Sequence, residues 1–165
     1  MLTFEMAESA AERLWSRVEK SSECWEWSGC KTAKHGYGRI MIWGKDHMAH
    51  RVAYLLANGE IPNGLVIDHI CHNPPCVNPA HLRAVTVKQN TENYGRQLSS
   101  NTSGVRGVSW VKSLRRWVVR VVHDGHVYSG KTHATLAEAE AAAIELRRSL
   151  HTHNDLDRIG RSLRP

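Results

Sequence analysis

The chain has 165 residues, room for one ordinary domain or two small ones. Its 41% hydrophobic content excludes a disordered chain, and no apolar run approaches the roughly 18 residues of a membrane span, so a soluble, cytoplasmic protein is expected. A net charge of +6 favours a polyanionic partner, and the excess is concentrated. Between Val105 and Ala134 six bases (Arg106, Lys112, Arg115, Arg116, Arg120, Lys131) face a single acid, Asp124.

Taken in chain order, Thr3–Lys20 predicts a helix. Thr3 caps its start, and Ala7, Ala10, Leu14 and Val18 fall at helical spacing. Cys24–Met48 alternates strand formers (Trp25, Trp27, Tyr37, Ile40, Ile42) with glycines, which predicts short strands and a hairpin. His50–Asn58 predicts a short helix stopped by Gly59, and Leu65–Ile67 a strand. Asn73–Pro79 carries three prolines and is an irregular loop, followed by a helix over about Val87–Gln97. Leu98–Gly104 is polar and small, as in a linker. Beyond it, Val105–Trp110, Arg116–Asp124 and His126–Gly130 predict three strands, with Asp124-Gly125 as a hairpin turn. Thr135 and Glu138 form a capping box that opens a helix with Leu136, Ala139, Ala143, Leu146 and Leu150 along one stripe.

The chemistry is concentrated in Ile67–Asn90, which places Asp68, His69, Cys71, Cys76, His81 and Asn90 in one strand, loop and helix. Breaking a phosphodiester needs a base to activate water and a cation to neutralise the phosphate. His69 suits the base, because free imidazole titrates near neutrality. Asp68 and Asn90 offer the hard oxygen donors that Mg²⁺ or Mn²⁺ prefers. Adjacent strand residues point to opposite faces, so Asp68 and His69 serve one phosphate only if the strand ends there. Arg39 and Arg51 are candidate phosphate clamps. Cys71, Cys76 and His81 are soft ligands that need a fourth partner for tetrahedral zinc, and Cys24 and Cys30 both qualify. Disulfides are disfavoured in an intracellular chain.

The stretches CWEWSG, GYGRI and HRVAY, and the run from Asp68-His69 through Val-Asn-Pro and Ala-His-Leu to Asn90, resemble the ββα-metal nuclease motif of HNH and His-Cys box homing endonucleases. The likeness covers roughly Cys24 to Asn93. It implies that His69 is the general base, that Asp68 and Asn90 hold the catalytic cation, and that Cys24, Cys71, Cys76 and His81 hold structural zinc. His81 stands where HNH proteins often carry Asn, which favours zinc over a catalytic role there; Asn78 is left as a loop cap. Residues from about Ser103 to Ser149 resemble the ethylene-response-factor type of plant DNA-binding domain, found as an appendage of HNH homing endonucleases.

Together these readings predict an α+β protein: a zinc-braced ββα-metal nuclease core plus a small three-stranded antiparallel sheet packed on one helix. The expected layout is an N-terminal helix (1–22) packing on a nuclease domain (23–97), a linker (98–103), a DNA-binding domain (104–150) and a tail (151–165). Alternation along the second strand of the sheet sends Trp117, Val119 and Val121 towards the helix. Arg106, Trp110, Arg116 and Arg120 are expected on one basic surface, with Lys131 as a further contact. The expected function is a sequence-selective DNA endonuclease of the homing type, acting on double-stranded DNA as a monomer or homodimer. The rival is a non-catalytic zinc-containing DNA-binding regulator.

Overall fold

The computed structural model describes residues 2–93 and 101–159, and the chain divides into two compact units, Met1–Asn90 and Thr91–Pro165. The last part of the expected helix to Gln97 and residues 98–100 of the expected linker lie outside the described residues.

The first unit opens with two short helices, α1 (Phe4–Glu8) and α2 (Ala11–Trp15), followed by strand β1 (Val18–Lys20). Thr3 caps α1 as expected, its hydroxyl accepting from the Met6 N–H. The single helix expected over Thr3–Lys20 is corrected. The chain breaks at Ser9-Ala10, and Val18 leaves the helix to pair with Trp27 of β2 (Trp25–Trp27). Helical spacing is a local signal, and here strand pairing overrides it.

A hairpin follows, β3 (Arg39–Ile42) and β4 (Lys45–Met48), turned by Trp43-Gly44, both with positive φ. Helix α3 (Ala49–Asn58) ends at Gly59, whose φ of 82° stops it. Strand β5 (Val66–His69) pairs antiparallel with β6 (Leu82–Val85), with Asp68 opposite Arg83. Between them runs the proline loop, closed by a 3₁₀ turn at Pro79–His81; Asn78 caps this turn through its side-chain oxygen. Helix α4 (Val87–Asn93) completes the β5–β6–α4 order of a ββα unit.

The core of this unit gathers Met6, Ala7, Leu14, Ile42, Val52 and Val77 around fully buried Trp27. Two glycines make room for that indole. A Cβ at Gly29 would lie 2.5 Å from one Trp27 ring carbon, and one at Gly38 would lie 2.7 Å from another. The indole N–H donates to the Cys30 carbonyl at 2.9 Å.

The second unit holds β7 (Val108–Val111), β8 (Arg116–His123) and β9 (His126–His133) in one antiparallel sheet, in that order. Asp124 and Gly125 both carry positive φ at the β8–β9 turn, which Gly and Asp tolerate. Helix α5 (Leu136–Leu150) starts with the expected capping box, and Leu136, Ala139, Ala143, Leu146 and Leu150 pack with Trp117, Val119 and Val121. A short helix, α6 (Asp155–Ile159), is held to α5 by Arg147, whose guanidinium donates to Asp157. Among the described residues no helix is long and apolar enough to cross a membrane.

Candidate active site and metal cluster

The proline loop cannot hold itself together by regular pairing, so its position is set from outside. It is tied to β2 by two backbone bonds: the Trp27 N–H donates to Pro75 and the Val77 N–H donates to Trp25, at 3.0 and 2.8 Å. These bonds bring Cys76, on the loop, beside Cys24, just ahead of β2. Cys24, Cys71, Cys76 and His81 then each place one ligand atom within 4.8 Å of the other three. His81 Nδ1 lies 3.7 Å from Cys24 Sγ and 3.6 Å from Cys76 Sγ. With Zn–S near 2.3 Å and Zn–N near 2.1 Å, the S–N edge of a zinc tetrahedron is about 3.6 Å. Donor type and spacing both fit zinc. Cys30, the other candidate for the fourth ligand, is exposed, and its carbonyl serves Trp27.

The thiols interact strongly. Cys76 is drawn down to about 4, first by the hydrogen bond from the Cys71 thiol and further by the Asn78 N–H. Cys71 is pushed up because it donates that bond, and Cys24 is raised by burial. Without a cation the cluster ionises at one sulfur; a dication would neutralise several thiolates together.

His69 ends β5, as the geometry of a shared site requires. Its Nε2–H donates to the Cys76 carbonyl at 3.0 Å. A carbonyl only accepts, so the proton sits on Nε2 and Nδ1 keeps its lone pair. Burial holds its pKa below the usual histidine range, which favours the neutral ring. Cys76 therefore serves twice, through its sulfur in the cluster and through its carbonyl on His69.

Asp68 is held from the neighbouring strand. Its Oδ2 accepts from Arg83 Nε and Nη2 at 3.1 and 2.9 Å, directly across the β5–β6 pair. Asn90 lies half-buried on α4, its N–H bonded to the Thr86 carbonyl. Arg39 is exposed and paired with Asp46, and Arg51 sits half-buried on α3 beside His50.

Three residues were not singled out by sequence. Arg83 becomes visible only through the register of the β5–β6 pair. His50 and Tyr37 form an aromatic wall around His69. The His50 ring centroid is 4.7 Å from that of His69, and Tyr37 is 5.4 and 5.7 Å from His50 and His69. The signal in the sequence was the His-Arg pair opening α3, whose placement needs the fold.

In the second unit, Arg116, Arg120 and Lys131 are exposed. The expected common surface is corrected at two residues. Trp110 pairs with Trp117 and contacts its ring at 5.1 Å. Directly paired residues share a face, so Trp110 lies on the helix side of the sheet, away from Arg116 and Arg120. Arg106 is half-buried and donates to the carbonyls of Glu92 and Thr91.

Comparison with known proteins follows the same outline. Residues 47–92 match the HNH endonuclease family. The chain is 44% identical over 78 residues to Protein 7.7 of Escherichia phage T7, covering 46% of this chain and 59% of that protein. It is 38% identical over 104 residues to Protein 3.8 of the same phage, covering 62% of this chain and 83% of that protein. An HNH endonuclease of Acanthamoeba polyphaga mimivirus is 39% identical over 112 residues, covering 67% of this chain and 55% of that protein. The chain thus spans little more than half the length of two of these three relatives. No solved structure matches. The chain belongs to the family that includes Protein 3.8 of phage T7 and carries, over residues 47–92, an HNH endonuclease domain.

Proposed function

We propose that the chain is a DNA endonuclease that hydrolyses phosphodiester bonds with His69 as general base. The observation that carries the reading is the bond from His69 Nε2–H to the Cys76 carbonyl, which leaves Nδ1 as the proton acceptor. A water oxygen attacks phosphorus while His69 Nδ1 takes its proton. The P–O3′ bond breaks, and the leaving oxygen is protonated from solvent. Tyr37 and His50 limit the orientations open to the base and shield it from bulk water. Asp68 and Asn90 supply hard oxygens, the donor set Mg²⁺ or Mn²⁺ prefers, and such an ion when bound neutralises charge on the phosphate and leaving oxygen. Arg83 orients the Asp68 carboxylate. Cys24, Cys71, Cys76 and His81 hold structural zinc, and so keep the Cys76 carbonyl in place.

The second unit is a double-stranded DNA reader of the ethylene-response-factor type. Arg116, Arg120 and Lys131 are its contacts; Trp110 packs on Trp117 on the other face, and Arg106 is engaged with the carbonyls of Glu92 and Thr91. This organisation supports a homing-type enzyme that cuts few sites; a monomer nicks and a homodimer breaks both strands.

Supercoiled plasmid with Mg²⁺ tests the reading. Wild type relaxes it, and His69→Ala cuts at least about 100-fold more slowly with zinc content and DNA affinity kept. Cleavage by the variant within about tenfold of wild type would remove His69 from the role. DNA binding without cleavage by either protein would favour the non-catalytic regulator.

A further inference from the structure

A second set of ligands lies in the Thr91–Pro165 unit, outside the nuclease site. Glu92, His123 and His151 each place one ligand atom within 4.8 Å of the other two. They come from the end of α4, the end of β8 and the residue after α5. Glu92 and His151 are 5% and 4% exposed.

One buried ring nitrogen among these side chains, His151 Nδ1, has no hydrogen-bond partner. His123 has a carboxylate at each ring nitrogen: Glu92 Oε1 at 3.1 Å from Nδ1, and Asp124 Oδ2 at 3.1 Å from Nε2. A neutral ring has one N–H, so it satisfies one carboxylate and presents a lone pair to the other. His151 Nε2 faces the Val122 carbonyl at 3.4 Å, which can only accept. The proton therefore sits on Nε2, and Nδ1 is left buried with no partner. Protonating His123 satisfies both carboxylates but still strands His151 Nδ1, at a cost of about 1–3 kcal/mol. A metal ion answers both needs.

We infer that Glu92, His123 and His151 form a second divalent-metal site, with two imidazoles and one carboxylate as ligands and zinc as the favoured ion. The 3.1 Å between Glu92 Oε1 and His123 Nδ1 falls between the ligand–ligand edges of about 3.0 Å (octahedral) and about 3.4 Å (tetrahedral) for bonds near 2.1 Å. The surrounding bonds are those of a metal site. Asp124 takes the far N–H of His123, and Thr152 donates its N–H and hydroxyl to Glu92 Oε2 at 3.1 and 3.3 Å, which orients the carboxylate. Two carboxylates balance the dication. The ion ties three segments distant in sequence.

Cobalt titration of the full-length, metal-stripped protein tests this independently of nuclease activity. Two tight equivalents are expected, with only weak binding besides at the Asp68 and Asn90 oxygens, which Asp68→Ala removes without touching either. One develops the strong near-ultraviolet bands of sulfur–cobalt bonding at the cysteine cluster, and the other binds with weak visible bands alone. His151→Gln should lose the second equivalent and keep the first. Asp124→Asn is exposed and tolerates its positive φ, so it should fold normally; it should weaken the second equivalent about 10–100-fold and spare the first. A single equivalent with sulfur bands, or a second equivalent unmoved in Asp124→Asn, overturns the proposal.

Discussion

His50 packs against His69 with 7% of its surface exposed, and its Nδ1 has no hydrogen-bond partner. Burial first, then the fields of His69 and Arg51, hold its pKa well below 6.5. Below pH 6.5 the unfolded chain therefore binds a proton at His50 that the native chain refuses, and stability falls as pH falls. His50→Phe removes this contribution. Denaturant unfolding at a series of pH values should give a slope of stability against pH that is smaller by up to about 1.4 kcal/mol per unit on the acid side. An unchanged slope would mean that His50 is protonated in the native state. Trp27 sets a second residue-level constraint. Gly29→Ala or Gly38→Ala drives a Cβ into the indole, and each should cost about 1–3 kcal/mol in urea melts. Much of the site was legible at this scale, because ligand chemistry is written in residue types: Asp68, His69, Cys71, Cys76 and His81 all stood out. The choice between Cys24 and Cys30 did not, since both are thiols at similar distance in sequence. Exposure and the use of the Cys30 carbonyl by Trp27 separate them.

At the scale of elements, those with their own stop signals read true. The Thr135–Glu138 box opens α5, and the Asp124-Gly125 turn joins β8 to β9. Thr135→Ala deletes the bond to the Glu138 N–H, and it should lower stability by about 1 kcal/mol, read as a shift in thermal midpoint. Glu138→Gln should be milder, because an amide oxygen still accepts from the Thr135 N–H. Elements that depend on distant partners were illegible. The apolar spacing of Thr3–Lys20 predicts one helix, yet β1 exists because Trp25–Trp27 offers it an edge. Arg83 was hidden in the same way, since only the β5–β6 register brings it to Asp68. Trp110 left the expected surface because sequence gives each strand its alternation but not the pairing that sets its face, and Arg106 left it because the carbonyls of Glu92 and Thr91, distant in sequence, take its guanidinium.

Across the whole molecule, the catalytic candidates through Asn90 fall in one compact unit and the basic run from Arg106 in the other. A fragment of residues 1–100 should retain Mg²⁺-dependent cutting at low salt, with weaker affinity, a shallower salt dependence and relaxed site choice. A fragment of residues 91–165 should bind DNA and never cut it; it must include Glu92, which belongs with His123. Filter binding across a salt series and junction sequencing measure both, and equal affinity and site choice in the shorter protein would rule out a reader. The cysteine cluster carries a further consequence, for the time at which the molecule becomes itself. Cys24 and His81 are 57 residues apart. At about 5–20 residues per second, a ribosome needs about 3–11 s to pass from one to the other. For those seconds Cys24 is an unligated thiol on a growing chain, with Cys30 close behind it, open to oxidants and to mispairing. Reductant and metal supply during synthesis, as well as the stability of the finished protein, then bear on how many copies fold.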